Sequence, residues 1–204
     1  MIKVNIEQHS EAWHQIKLGR FTGSRFAKLM AGETTDTYKD LLVEVAGEIL
    51  TGESEETYIN ADMERGSELE PEARQQYENI FGEVEQCGFI LLDENNPIQE
   101  YVGYSPDGLI KDGLIEIKCP KLKTHINYIR ANILPNTYKW QVQGGLMITG
   151  AKWCDFISYY PNLKPFIIRV YPDLEMHKQL TERIKISIIR LNEILKTYKE
   201  YSYE

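Results

Sequence analysis

The stretch "YSPDGLIKDGLIEIKCPK", residues 104–121, decides which fold and which chemistry the chain can support. Asp112-Gly113, set between two apolar runs, is a strong signal for the two-residue loop of a β-hairpin. With these two residues as the loop, Leu109 is expected to pair with Glu116 and Asp107 with Lys118. The stretch therefore predicts a hairpin whose strands bring charged residues together.

Side chains alternate between the two faces of a strand, so Asp107, Glu116 and Lys118 are predicted to share one face. Ile115 and Ile117 then point from the other face into the core. Neighbouring side chains across such a ladder lie about 5–8 Å apart, and two carboxylates at that separation repel each other unless a cation lies between them. A hard divalent cation such as Mg²⁺ or Mn²⁺ prefers these oxygen ligands. The alternative is an exposed hairpin with an ordinary carboxylate–lysine pair, which adds little stability.

In a metal site, Lys118 would take part in the chemistry. It could orient or deprotonate a water, or it could neutralise the charge that develops on a phosphate. A metal that lowers the pKa of bound water and clamps a phosphoryl oxygen supports phosphodiester hydrolysis.

The pattern around the hairpin predicts an α/β fold. Helical patterns come first, including a long acidic one from about Asn60 to Phe81 that is expected to break near Pro71, which suits the first turn of a new helix. Three strand patterns follow, then helical patterns, two more strands, and a helix from about Asp173 to Tyr201. This order indicates a mixed central sheet covered by helices on both faces. No Gly/Ser/Pro-rich linker occurs, so residues 1–204 are predicted to form a single domain.

The last helix carries an apolar seam. The seam predicts either packing on the chain's own sheet, which we favour, or a subunit contact. Its members are Leu180, Ile184, Ile188, Leu191, Leu195 and Tyr198.

Charge and composition limit the partners. The net charge is −8, but the charges are segregated: residues 12–32 and 117–154 hold no Asp or Glu, whereas residues 33–116 hold 22 acidic and four basic residues. This predicts either a basic groove inside an acidic shell, suited to nucleic acid, or chance clustering on solvated faces. The chain has no apolar run long enough for a membrane helix and no signal-peptide pattern. Its three scattered cysteines favour a reducing, cytoplasmic setting.

Pro106-Asp107 and Glu116-Ile117-Lys118 resemble the motif of the PD-(D/E)XK nuclease superfamily. Four stretches, in order, are similar to those of the lambda-exonuclease group, which includes the YqaJ-type viral recombinases. These stretches are "AWHQIKLGRFTGS" (12–24), "RGSELEPEAR" (65–74), the hairpin "GYSPDGL" with "GLIEIKCP" (103–120), and "WQVQGGLMITG" (140–150). The resemblance implies a restriction-endonuclease-like core with a mixed sheet flanked by helices.

The resemblance also implies roles for the catalytic residues. The metal ligands would be Asp107, Glu116, the main-chain carbonyl of Ile117, and Glu70, with Lys118 as the catalytic lysine. From the residues alone, Glu70 cannot be chosen over the neighbouring glutamates of its helix.

A glutamine is expected to face the metal-bound water or the phosphate. Gln141 and Gln143 lie two positions apart, so only one of them can point into the site. The resemblance implies that it is Gln143.

The family has a pocket for the 5′-phosphate of a DNA end. Ser24 and Ser105 match its hydroxyl positions, and Lys17 stands where an arginine is usual, so it supplies charge without a bidentate fork. A second arginine has no clear match. Further basic candidates for binding DNA are Arg25, Lys121 and Lys123.

The resemblance thus implies a Mg²⁺-dependent exonuclease, with Mn²⁺ as a substitute. It would degrade linear double-stranded DNA 5′ to 3′ by two-metal-type hydrolysis and leave 3′ single-stranded overhangs for recombination. It further implies a phage- or bacterium-encoded protein that forms a homotrimer and has a single-strand annealing protein as partner. The alternatives are another PD-(D/E)XK endonuclease or single-strand exonuclease, and a non-catalytic DNA-binding subunit.

Overall fold

The protein is described from a computed structural model, which covers residues 1–54 and 61–201. The strands are β1 (Ile2–Val4), β2 (Phe21–Thr22), β3 (Phe89–Leu91), β4 (Val102–Gly103), β5 (Gly108–Ile110), β6 (Gly113–Lys118), β7 (Trp153–Ser158) and β8 (Phe166–Val170). The helices are α1 (Glu11–Lys17), α2 (Phe26–Leu29), α3 (Asp36–Thr51), α4 (Ala61–Phe81), α5 (Leu122–Ala131), α6 (Lys139–Thr149) and α7 (Leu174–Glu200).

The main sheet has four strands in the order β5-β6-β7-β8. The pairs β5-β6 and β7-β8 are antiparallel, and β6-β7 is parallel, so the predicted mixed sheet is confirmed. Helices α5 and α6 form the crossover that a parallel pair requires. The strands before the hairpin do not join this sheet, because β3 pairs with β1 and β4 pairs with β2.

Helices cover both faces of the sheet, as predicted. On one face, Leu114 and Phe156 are buried in a large core with residues of α2, α3, α6 and α7. On the other face, Ile115 and Ile117 are buried with Tyr77 of α4 and its neighbours. The alternation along β6 therefore separates two cores, and the expectation that Ile115 and Ile117 point into the interior is confirmed.

The predicted loop of the hairpin is wrong by one position. Leu109 pairs with Leu114 and Ile110 pairs with Gly113, so the two loop residues are Lys111 and Asp112. Lys111 takes the left-handed backbone conformation, with φ of 51°. Gly113 is needed in the strand instead, because a Cβ there would come within 2.4 Å of the Trp153 ring. Each residue of β5 thus pairs with a residue of β6 two positions earlier than predicted. Because side chains alternate between faces with a period of two, every side chain stays on its predicted face.

The predicted break in α4 is also wrong, because the helix runs through Pro71. Proline removes the hydrogen bond to the carbonyl four residues earlier, which belongs to Ser67. Both Pro71 and Ser67 are exposed, so water can satisfy that carbonyl. Asn60, where the helical pattern was expected to begin, lies outside the described residues.

The seam of α7 packs mainly within the chain. Leu180, Ile184 and Leu191 are fully buried in the large core. Tyr198 is the exception, with 62% of its surface exposed. The seam therefore packs within the chain, as favoured, but mainly against helices α2, α3 and α6 and not on the sheet. In the described ranges, no helix is long and apolar enough to span a membrane.

Candidate active site

Glu116 lies at the centre of a polar cluster on the sheet face. Its side chain is almost fully buried, and both carboxylate oxygens have partners. Tyr104 donates its hydroxyl to Oε2 at 2.6 Å, and Gln141 donates its amide to Oε1 at 2.6 Å. The Lys118 Nζ lies 2.5 Å from Oε1. The carboxylate is thus held in one orientation beside a lysine.

Asp107 lies across the hairpin from Glu116. Extending the observed pairing by one residue places these two opposite each other, instead of Asp107 opposite Lys118. The Asp107 Oδ2 accepts a hydrogen bond from the backbone N–H of Ile117 at 2.5 Å. The predicted shared face of Asp107, Glu116 and Lys118 is therefore observed, with a different cross-strand partner.

Glu70 reaches the same region from α4. Its carboxylate pairs with Arg74, one helical turn further on, at 2.5 Å. Arg74 also donates its Nε to the main-chain carbonyl of Asp107 at 2.9 Å. This nearly buried arginine links α4 to the hairpin, and it was not identified from the sequence.

The carboxylates influence one another. Burial, together with repulsion from Glu116 and Glu70, raises the pKa of Asp107 well above its usual range. Burial alone would lower the pKa of Lys118, but attraction to Glu116 and Asp107 outweighs it and raises that pKa, so the lysine is a cation. Burial and the nearby Glu116 charge raise the pKa of Tyr104, which stays a phenol that can donate.

The donor chemistry fits a hard divalent cation. Glu116 and Glu70 both lie close enough to Asp107 to add to the effect of burial and raise its pKa, and oxygen ligands of this kind are those that a hard divalent cation prefers. The side chains are not in a ligating arrangement: the described residues contain no group of three or more His, Cys, Asp or Glu positioned for a metal. Glu116 is occupied by Lys118, and Glu70 by Arg74. Binding a metal would require these oxygens to exchange partners.

The expectation that Gln143 faces the cluster is wrong. Its amide donates to the carbonyl of Tyr171 at 2.9 Å, and its oxygen accepts from the backbone N–H of Asp173, also at 2.9 Å. The same oxygen lies 2.9 Å from the His177 ring. Gln143 therefore fastens α6 to the start of α7. The helix-face argument holds, but Gln141 is the glutamine that points in.

A second polar group lies around Trp13. Its indole N–H donates to the Ser105 hydroxyl at 2.9 Å, and that hydroxyl donates to the carbonyl of Gly88 at 2.7 Å. The Lys17 Nζ sits 3.4 Å from the centre of the Trp13 ring. Burial, and secondarily the charge of Arg25, lower the pKa of Lys17 to about 8. The structure thus brings Lys17 and Ser105 to the same tryptophan.

The remaining predicted contacts to DNA are dispersed. Ser24 is exposed in a short 3-10 turn after β2. Arg25 pairs with carboxylates of α3, with Glu44 at 2.7 Å and more closely with Glu48, so its charge is used within the fold and its role as a DNA contact stays a prediction. The spacing of charges along the chain did not reveal this ion pair, because its partners come from another helix.

Lys121 and Lys123 follow strand β6. Lys121 makes an exposed ion pair with Asp62 at 2.8 Å, and Lys123 is exposed. Lys121 borders a groove of about 550 Å³ next to the carboxylates, which Glu70 and Lys118 also line. The charge segregation therefore does not leave all of these cations free to bind an anion. The two of them that line this groove, Lys118 and Lys121, are each paired with an acid, Glu116 and Asp62 respectively.

A family model for the YqaJ-like viral recombinase domain matches residues 12–152. The chain belongs to this family. No curated protein matches the chain significantly. Among solved structures, the alkaline exonuclease LHK-Exo from Laribacter hongkongensis is 35% identical, with a TM-score of 0.84 over 93% of this chain and 96% of that one.

Two other structures agree on the fold of this YqaJ-like chain. LHK-Exo in complex with dAMP is 33% identical, with a TM-score of 0.84 over 93% of this chain and 96% of that one. A phage-related exonuclease from Haemophilus somnus 129PT is 15% identical and has a TM-score of 0.66 over 88% of this chain and 96% of that one. The predicted PD-(D/E)XK fold is confirmed.

Proposed function

We propose that this protein is a metal-dependent exonuclease that degrades linear double-stranded DNA from 5′ to 3′ and leaves 3′ single-stranded overhangs for recombination. The observation that carries the proposal is the cluster of Asp107, Glu116 and Lys118 on one face of the hairpin, with Glu70 beside it. The similarity to an alkaline exonuclease over nearly the whole of both chains supports it.

The metal would be Mg²⁺, with Mn²⁺ able to replace it. The residues that would hold it are Asp107, Glu116, the carbonyl of Ile117, and Glu70. When bound, the ion supplies a water of lowered pKa and neutralises a phosphoryl oxygen, and a second ion would complete the two-metal arrangement of phosphodiester hydrolysis.

The chain's own residues prepare this site. Tyr104 and Gln141 hold the two oxygens of Glu116 in place, which keeps the carboxylate oriented without cost at the moment of reaction. Lys118 places an ammonium 2.5 Å from that carboxylate, where it can stabilise negative charge on the phosphate and hold the attacking water.

Recognition of the DNA end is assigned to the group around Trp13. Lys17 supplies the charge and Ser105 a hydroxyl, and Ser24 is the third candidate. Lys121 and Lys123 would contact the backbone of the strand beyond the cleaved bond. The protein would act as a homotrimer and hand its product to a single-strand annealing protein.

The test uses linear duplexes labelled at one end or the other, with and without a 5′-phosphate, in Mg²⁺ and in EDTA. We expect loss of label from 5′ ends, in Mg²⁺ only. Release that begins at 3′ ends would contradict the polarity. Glu116→Gln is the control and should leave the duplex intact.

Circular DNA separates the proposal from its alternatives. Cutting of intact supercoiled circles would indicate an endonuclease. If the wild type and Glu116→Gln both leave linear DNA intact in Mg²⁺ but bind it, the chain is a DNA-binding subunit.

A further inference from the structure

Arg65 is a half-buried arginine on α4, in the wall of the groove that Glu70 and Lys118 also line. One of its guanidinium nitrogens donates to the carbonyl of Cys119 at 2.9 Å. Cys119 directly follows Lys118 in the chain. The arginine is therefore fastened to the backbone at the end of the catalytic strand.

Arg65 differs from the other arginines around the site. Arg25 and Arg74 each pair with carboxylates, which use their charge within the fold. Arg65 makes no ion pair with any residue in the described ranges, and the bond to Cys119 is its one hydrogen bond there. The guanidinium has five N–H donors, so most of them are available to a group in the groove.

A cation held in this way suits an anionic ligand. Holding the guanidinium on a main-chain carbonyl fixes its position and leaves its charge unneutralised. The planar fork of N–H groups matches two oxygens of a phosphate. The groove wall also carries Tyr138 and Thr124, whose hydroxyls can donate hydrogen bonds, and the acidic residues Glu70 and Asp62.

The groove carries a second cation at its edge. Lys121 is paired there with Asp62, and both side chains are more than half exposed. Such an exposed pair contributes little stability and can open when a phosphate competes for the lysine. Lys118, Arg65 and Lys121 therefore all line the same groove.

We propose that Arg65 binds a backbone phosphate of the cleaved strand, adjacent to the phosphate that is hydrolysed. The inference rests on the proposed nuclease function and adds a substrate-binding residue to it. Arg65 touches the substrate and positions the strand over Asp107 and Glu116. Because the contact is made equally before and during the reaction, it lowers KM and leaves kcat almost unchanged.

The test compares Arg65→Gln and Arg65→Lys with the wild type and with Arg130→Gln. Arg130 is an exposed arginine on α5 and serves as the matched loss of one positive charge. Two measurements are made: kcat and KM for degradation of a linear duplex in Mg²⁺, and duplex binding in EDTA over a range of salt concentrations.

For Arg65→Gln we expect KM to rise about tenfold with kcat changed less than about twofold. The slope of the logarithm of the duplex association constant against the logarithm of the salt concentration should become shallower by about 0.9, because one phosphate contact is lost. Arg65→Lys should recover most of the slope and part of the affinity, because it keeps the charge without the fork. Arg130→Gln should resemble the wild type.

The outcomes separate this inference from the function on which it rests. If the wild type does not degrade linear DNA in Mg²⁺, the proposed function fails. If the wild type is active but Arg65→Gln keeps its KM and its salt slope, the inference fails. A fall in kcat and in Tm at an unchanged salt slope would also overturn it, since that result describes an arginine that only holds Cys119.

Discussion

Gln141 and Gln143 are two residues apart on α6, and their side chains go to opposite sides of the helix. Gln141 donates to Glu116 in the candidate active site, whereas Gln143 bonds backbone groups ahead of α7. The two glutamines therefore offer a matched pair of substitutions, one expected to act on the reaction and the other on stability.

Gln141→Ala removes one of the groups that orient the Glu116 carboxylate. We expect kcat for DNA degradation to fall on the order of tenfold, because a less well oriented Glu116 gives up about 1.4 kcal/mol of transition-state stabilisation. The free energy of unfolding in urea should change little. Equal activity of Gln141→Ala and the wild type would contradict the assignment of Gln141 to the site.

Gln143→Ala should have the reverse effect. It leaves the carbonyl of Tyr171 and the N–H of Asp173 without their partner, and such losses cost roughly 1–3 kcal/mol. Urea denaturation should show that decrease, while kcat stays within about twofold of the wild type. A loss of kcat with unchanged stability would instead support the prediction made from the resemblance.

Lys17 predicts a pH dependence for recognition of DNA ends. Its pKa is lowered to about 8, and a lysine is charged below its pKa and neutral above it. The preference in kcat/KM for 5′-phosphorylated over 5′-hydroxyl ends should therefore be present near pH 7 and decline as the pH rises through about 8, because kcat/KM reports the free enzyme.

Lys17→Arg is the control for this pH dependence. Arginine stays charged across the range, so the preference of this variant should be independent of pH. Lys17→Met should show little preference at any pH. A wild-type preference that is unchanged from about pH 7 to about pH 9 would remove Lys17 from end recognition.

At the scale of the elements, α6 and the segment before β5 meet at a glycine. A Cβ on Gly145 would lie 2.5 Å from Cζ of Tyr104 and 2.8 Å from its hydroxyl oxygen. The bare helix surface at this position lets the Tyr104 ring approach closely enough to reach Glu116. The hydrogen bond that holds the Glu116 carboxylate thus depends on how tightly α6 packs against the loop that carries Tyr104.

Gly145→Ala should displace the Tyr104 ring and disturb Glu116. We expect a loss of stability of about 1–3 kcal/mol from overpacking, with kcat reduced on the order of tenfold. Gly47→Ala is the control, because no atom lies within 4 Å of a Cβ added in the middle of α3. It should raise stability by about 0.5–1 kcal/mol and leave kcat unchanged. If Gly145→Ala and Gly47→Ala have the same stability and the same kcat, the close packing of Tyr104 on Gly145 does not support the site.

The limits of prediction from sequence also show at this scale. The shared face of Asp107, Glu116 and Lys118 could be predicted, because alternation along a strand survives a two-residue change of register. The loop position could not, since it depends on Trp153 covering Gly113 from a strand far along the chain.

Across the whole molecule, the fold class could be predicted from the order of helical and strand patterns. Short strands were harder to place, because β3 and β4 pair with β1 and β2 from the N-terminal part. The roles of Arg25 and Gln143 also depend on which helix packs next to them, and local spacing carries no information about that.

The outer face of α5 bears on the predicted homotrimer. Leu122, Ile126 and Ile129 lie along one side of this helix with 43%, 43% and 45% of their surfaces exposed, and Ile133 follows at 61%. Burying apolar surface of this kind stabilises by about 25 cal/mol per Å². The stripe is flanked by basic residues in a chain whose net charge is −8, so another copy of the chain offers an acidic surface of complementary charge.

We therefore expect light scattering on the purified protein to give a mass three times 23.7 kDa, and Ile126→Asp to shift it toward the monomer. Leu163→Asp, an equally apolar and exposed position in the loop after β7, is the control and should stay trimeric. A monomeric wild type would contradict the trimer itself. A trimer that persists in Ile126→Asp would mean that α5 lies outside the contact, since a carboxylate buried there without a partner is strongly destabilising.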